Sequence, residues 1–384
     1  MQVPTINCSH GNKTTDWRFH IVPSWTNIWN KKTLPHWTLR IFFISLRKIL
    51  YGYMVNAGDI IIAYTSDRNL RHVATSGGIG SRIIKELFTN NYICSAISYT
   101  FNKGTRQYEP QIIYDWDSYT PIGSIYHEIE LFKFIKENIG QIKSPFLCTA
   151  LPCQVAAIRK FLEKNGIEAY IIELTCSSQQ SYEATEYMLK RAGVKTEEVE
   201  HIRYRGGGWP GGFTVTKVGG EELFFSNNSS VWTKIFHSRL FSMPRCFFCH
   251  ASRQAVSDIQ LADPWGIDTG DTEKEGRTLC KVNSQRMSDL LNSMSGHGDL
   301  EYEIREKADF YSSQMGTIVS KNFNLKHPRL TRCVMNTVSD SRYRRIVLNN
   351  SFLFETHCLI YKYFFKCLHK IAKMRDKNLM KYES

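Results

Sequence analysis

Three times between Gly58 and Gly193 the chain runs from a short apolar, β-branched segment through a turn into an amphipathic helix. GDIIIAYTSD leads to ATSGGIGSRIIKELFTNNYI, a glycine-rich turn and then a helix with Ile79, Ile83, Ile84 and Leu87 on one face. SPFLCTALPCQVAAIRKFLEKNGI passes a proline turn into a helix closed at Gly166. AYIIELTCSSQQSYEATEYMLKRAG repeats that order as far as Gly193. Strands that alternate with helices predict an α/β fold, a mixed, largely parallel sheet flanked by helices. Functional groups in such sheets gather beyond the carboxyl ends of the strands.

The rest of the chain is less regular. CSAISYTF and YEPQIIYD read as strands, and YHEIELFKFIKENIG as a helix ending at Gly140. RYRGGGWPGGFTVTKVGGEELFF reads as a glycine-rich loop with a hairpin insert, the stretch through Met243 as helix, and RTLCKVNSQRMSDLLNS as strand and helix. A helical, basic region closes the chain. Residues 1–56 hold Trp17, Trp25, Trp29 and Trp37 without clear periodicity and are poorly specified. At 384 residues the chain exceeds one typical core, which favours two joined domains.

Charge and cysteine usage narrow the class. The 11 cysteines are an odd number spread through the chain with no signal peptide ahead, which predicts a cytoplasmic protein whose cysteines serve metal or redox work. The net charge of +13 is compatible with an anionic cofactor or lipid headgroup. No basic reading helix or aromatic platform of a known nucleic-acid module appears, so no nucleic-acid partner is expected. LRIFFISLRKILYGYMV and FLFETHCLIYKYFFKCLHKI carry polar residues and are too short in apolar run to cross a membrane. The aromatic, basic tail around Tyr361, Phe364 and Lys366 could instead lie on a membrane surface or simply pack.

Two constellations could carry chemistry. Cys246 and Cys249 form a CxxC, which can aim two sulfurs at one metal centre, yet structural zinc and iron–sulfur clusters both want four ligands. Cys153 follows the strand SPFLCTA and Cys176 follows AYIIEL, so two neighbouring parallel strands would deliver both thiols to the sheet edge the CxxC could complete. The alternative is that Cys153 and Cys176 are ordinary small core residues. In TSGGIGS, Thr75, Ser76, Gly77 and Gly78 stand between strand and helix, where amides and the helix N terminus suit a phosphate. Tight packing would explain the same glycines. No side chain is identified as a catalytic acid or base.

ATSGGIGSRIIKELF, GSIYHEI, LPCQVAAIRKFL, ELTCSSQQSYEA, YRGGGWPG and RCFFCHASRQAVSDIQLADPWG occur in that order. With these motifs the chain resembles the coenzyme F420 hydrogenase/dehydrogenase beta-subunit family over roughly residues 57 to 295. The resemblance implies an iron–sulfur flavoprotein oxidoreductase passing electrons between FAD, a 4Fe–4S cluster and a small hydride donor or acceptor such as coenzyme F420. A redox partner protein or subunit is implied as well. Residues 57–150 correspond to the family's N-terminal region and 151–300 to its C-terminal region, with 301–384 as the helical extension. Cys153, Cys176, Cys246 and Cys249 are then the cluster ligands, and Ser76, Gly77 and Gly78 the turn for the FAD pyrophosphate. Gly123, Ser124 and Tyr126 belong to the flavin surroundings; Asp263, Trp265 and Gly266 contact flavin or shape the fold. The chain departs from the family in lacking a ferredoxin-like module of CxxCxxCxxxCP runs, and in reading ALPCQ where GTPCQ is usual. Two rival readings are a redox module acting on a sugar or polyprenyl substrate of cell-surface polysaccharide synthesis, and a non-catalytic zinc-binding assembly protein.

Overall fold

The computed structural model describes residues 54–227, 231–250, 256–267 and 274–375; the Trp-rich segment lies outside them up to residue 53. Eleven described strands run in chain order as β1 (Ile60–Thr65), β2 (Ser95–Asn102), β3 (Gln107–Ile113), β4 (Phe146–Ala150), β5 (Ala169–Leu174) and β6 (Val199–Arg203). They continue as β7 (Gly212–Lys217), β8 (Glu222–Ser226), β9 (Ile259–Ala262), β10 (Thr278–Val282) and β11 (Leu300–Arg305). The described helices begin with α1 (Arg68–Val73), α2 (Ile79–Thr89), α3 (Leu131–Glu137), α4 (Pro152–Lys164), α5 (Glu183–Arg191) and α6 (Val231–His237). They end with α7 (Pro244–Phe247), α8 (Gln285–Gly296), α9 (Lys307–Lys326), α10 (Pro328–Ser339), α11 (Ser341–Asn349) and α12 (Ser351–Arg375).

Eight strands form the main sheet in the order β11-β1-β10-β9-β5-β4-β2-β3. At its centre β2, β4, β5 and β9 pair parallel. β10 is antiparallel to both β9 and β1, so β1 shares the direction of the central four. Five strand ends therefore open on one edge. The glycine-rich insert forms a separate antiparallel sheet, β6-β7-β8.

Alternation along the central strands explains the layers. Leu147 and Ile172 face a core with Ile83, Ile84 and Leu87 of α2 and Met287 and Leu291 of α8. Their neighbours Phe146, Cys148 and Ile171 face the other side, where Ile135 of α3 and Val155, Ile158 and Leu162 of α4 cover them. A two-residue period with both faces apolar is what a sheet covered by helices on each side requires. A further core joins the small sheet to α5, α6 and the C-terminal helices through Tyr204, Phe213, Trp232 and Phe354.

Two local expectations change. The helix expected from Tyr126 begins only at Leu131. His127 accepts the Tyr108 N–H at 2.9 Å and the Tyr126 carbonyl accepts from Gln180 N–H at 3.1 Å, so this backbone is committed to bridging the 177–180 loop. Second, α1 separates β1 from the glycine turn, started by Asp67, whose carboxylate accepts from Leu70 N–H at 3.0 Å.

Candidate functional site

Strand direction decides which loops meet. β4 and β5 run parallel with Ala150 opposite Glu173, so the turns that follow them emerge side by side. Cys153 stands in the first turn of α4, after Pro152, where the Gln154 carboxamide accepts the Leu151 N–H at 3.1 Å and holds the turn. The helix dipole there favours negative charge on the sulfur. Cys176 follows β5. Cys246 lies in the one-turn α7 and Cys249 just beyond it. All four cysteines line one cavity with Gln179, Arg245 and Lys321.

The electrostatics of that cavity are mixed. Burial pushes the Cys176 thiol up to about 12, opposed by Lys321. Cys153, the most exposed of the four, is raised by burial and by Cys249 and Cys246, and lowered by Arg245. Gln179 ties the pieces together. Its N–H donates to Cys246 Sγ at 3.4 Å, its Oε1 accepts from Arg245 at 2.6 Å, and its carbonyl accepts from Met243 N–H at 3.0 Å. Lys321 arrives from α9 and is 5% exposed.

The donor set suits a cluster better than a single ion. Among the described residues, only Glu86, His297 and Asp299 bring three His, Cys or carboxylate ligand atoms within 4.8 Å of one another. No three of the four thiols meet that closely. A tetrahedral zinc with Zn–S near 2.3 Å would draw its sulfurs to about 3.8 Å apart. A cube of iron and sulfide holds its thiolates farther apart, which four cysteines around one cavity could supply.

A second group of predicted residues converges at the end of β1. Thr65 N–H donates to the Gly77 carbonyl at 2.8 Å, and Ser76 Oγ bonds Thr278 Oγ1 at 3.0 Å, which binds the turn to β1 and β10. A Cβ on Gly77 would stand 2.4 Å from the Ala63 carbonyl oxygen, and Gly78 has φ +74° as it opens α2. Packing alone thus accounts for both glycines. An anion there would meet the N terminus of the 11-residue α2 and two buried guanidinium groups, Arg205, paired with Asp263, and Arg71, which donates to the Gly276 carbonyl at 2.8 and 2.6 Å and pairs with Glu275.

Arg205 is the hub of this group. It pairs with Asp263 at 2.5 Å, donates to the Thr75 carbonyl at 3.4 Å and lies 5.6 Å from the Trp265 ring. Asp263, Tyr126 and their hydrogen bonds raise its pKa against a desolvation that would lower it. Tyr126, raised by burial, bonds Arg205 and Ser124. Ser124 Oγ meets Thr75 Oγ1 at 3.0 Å, and a Cβ on Gly123 would stand 2.7 Å from the Arg205 carbonyl. Thr75, Ser124, Gly123, Tyr126, Asp263 and Trp265 therefore share one neighbourhood. Trp209 lies 5.3 Å from Trp265 with the two rings tilted by 32°, and its buried indole N–H has no hydrogen-bond partner. An orphaned donor beside aromatic rings and guanidinium groups fits a polar, planar ligand such as a flavin nucleotide.

The sequence reading missed Arg205, Trp209, Gln179, Thr278 and Lys321 as site residues. Arg205 and Trp209 had a signal, since they flank a run of three glycines. Lys321 had none, because only the docking of α9 brings it to the cysteines.

Residues 145–307 match the family described as the C terminus of the coenzyme F420 hydrogenase/dehydrogenase beta subunit. A chain of the xenon-derivatised F420-reducing NiFe hydrogenase complex from Methanosarcina barkeri has a similar structure, with a TM-score of 0.53 at 16% identity. The similarity covers 71% of this chain and 94% of that one and establishes a shared fold. No curated protein matches.

Proposed function

We propose, from a chain whose residues 145–307 match the coenzyme F420 hydrogenase/dehydrogenase beta-subunit family, that this protein is an iron–sulfur flavoprotein oxidoreductase. The observation that carries the reading is the convergence of Cys153, Cys176, Cys246 and Cys249 on one cavity. These four would hold a 4Fe–4S cluster, with the Gln179 N–H and Arg245 polarising its sulfur shell. Ser76, Gly77 and Gly78 at the start of α2 would meet the pyrophosphate of FAD, with Arg205, Tyr126, Trp209 and Trp265 around the rest. A flavin exchanges a hydride with an organic donor or acceptor and single electrons with a cluster, which is the chemistry the pair supplies when bound.

The chain's own part is placement and electrostatics. The Gln180 N–H to the Tyr126 carbonyl and Gln179 Nε2 to the His127 carbonyl, at 3.1 and 3.4 Å, lock the cysteine loop to the loop carrying Ser124. Asp263 holds the Arg205 guanidinium inside the site and keeps it charged. The reducible partner is a small molecule of the coenzyme F420 class or another hydride carrier. The similar hydrogenase chain is one member of a complex, so a protein partner accepts or supplies the single electrons.

Anaerobic purification followed by iron, sulfide and flavin analysis tests this reading. We expect iron and acid-labile sulfide in equal amounts together with FAD. Replacing Cys153 or Cys176 by Ala should abolish the visible cluster absorbance, whereas Cys280→Ala, on β10 and facing the core under α2 and α8, should leave it. A colourless zinc protein without flavin would overturn the proposal.

A further inference from the structure

We infer that the outward face of α12 is a docking surface for an anionic phospholipid bilayer. The helix is apolar on two sides. Phe354 and His357 turn inward at 0% and 6% exposure, with His357 Nε2 at 2.8 Å from the Ser238 carbonyl and the Tyr361 ring packed beside it at 5.2 Å. The opposite side carries Phe352, Leu359, Ile360 and Tyr363, which are 77%, 50%, 63% and 61% exposed. At about 100° per residue, Phe352, Leu359 and Tyr363 fall in one line with Ile360 to its side. A helix that merely covers a core presents a polar outer face, whereas this one sets apolar side chains among its outward lysines.

The charge around that face selects the partner. Lys362, Lys366 and Lys370 are exposed on the same helix, and the Lys366 ammonium lies 5.9 Å from the Tyr363 ring centroid. Residues 328–375 contain ten Lys and Arg against two Asp and Glu, so this segment holds +8 of the chain's +13. Exposed Leu330 and Ile346 on α10 and α11 each follow an exposed arginine, Arg329 and Arg345. Protein interfaces deplete lysine around their apolar centres. Lysines interleaved with aromatic and aliphatic groups suit the bilayer boundary, where the apolar side chains enter the acyl region and the ammonium groups reach back to the phosphates. Of the residues expected at such a surface from the sequence, Phe364 and Lys366 are exposed, Phe364 at 39% while its edge meets Phe323 at 5.8 Å, and Tyr361 is half-buried.

Flotation of the full chain with phosphatidylcholine vesicles, with and without phosphatidylserine, tests the inference without reference to cofactor content. The chain should float with the anionic vesicles only, and rising salt should weaken the association. Leu359→Asp with Tyr363→Asp, and separately Lys362→Glu with Lys366→Glu, should each lower vesicle affinity by on the order of tenfold or more. Both pairs are exposed, so thermal melting should match the parent. Equal behaviour on neutral and anionic vesicles, or unchanged binding by both variants, overturns the inference. So does a chain that elutes as a dimer and becomes a monomer in both variants, since a second copy would then own the face.

Discussion

Two buried charged residues near the cysteines carry separate consequences. Lys321 sits 5% exposed against the four-thiol cavity and interacts electrostatically with Cys176. Under the proposed reading, Lys321→Met removes positive charge beside an anionic cluster, so uptake of an electron becomes harder and the midpoint potential turns more negative. Iron and sulfide content should stay unchanged; a potential equal to that of the parent would remove the electrostatic role. Glu173, next to last in β5, is 4% exposed, and burial lifts its carboxyl from 4.5 to about 7, against the lowering by Ser257, Lys281 and Lys321. Between those two values the folded chain keeps a proton that the unfolded chain has released. Stability should therefore fall as pH rises from about 4.5 to about 7 and then level off, by on the order of 3 kcal/mol. Chemical denaturation across this range measures it, and Glu173→Gln should flatten the slope and stabilise the chain above pH 7. An identical slope in the variant would assign the effect to another group.

Elements were legible in the sequence where their signal was local. β4 with α4 and β5 with α5 announced themselves by period and by their closing glycines, and the same local grammar placed Cys153 and Cys176 at adjacent strand ends. β9 did not, although it is a central strand, because IQLA is only four residues inside a cysteine-rich stretch. α9 was legible as helix, but its work was hidden. Ser313 Oγ and Gln314 Nε2 donate to the Asp263 carbonyl at 2.9 and 2.8 Å, so a helix outside the family match clamps the turn that holds Asp263 and Trp265. Under the proposed reading, replacing Ser313 and Gln314 together by Ala should loosen that turn and weaken flavin retention several-fold, with iron content intact. Flavin release during dialysis of the variant and parent gives the comparison. Equal release would confine the two residues to a packing role.

At the scale of the molecule, the shared edge of β1, β4 and β5 was legible and the joining of its parts was not. The alternation of strand and helix sets direction, and direction sends the glycine turn, Cys153, Cys176 and Asp263 to one side of the sheet. Arg205, Gln179 and Lys321 lie far apart in sequence and owe their roles to tertiary placement, which periodicity cannot encode. The tail was ambiguous for a related reason: α12 is apolar on two sides, so its sequence does not say which side turns inward. α9 has one more consequence. Gln314 holds the turn of Asp263, and Lys321, seven residues later, stands at the cysteines, a rise of about 10 Å along one unbroken helix. The two sites are thus spaced by a strut as well as by the loop contacts between Gln179, Gln180 and residues 126–127. Their gap is a built dimension of the protein, and fraying that single rod would disturb both ends at once.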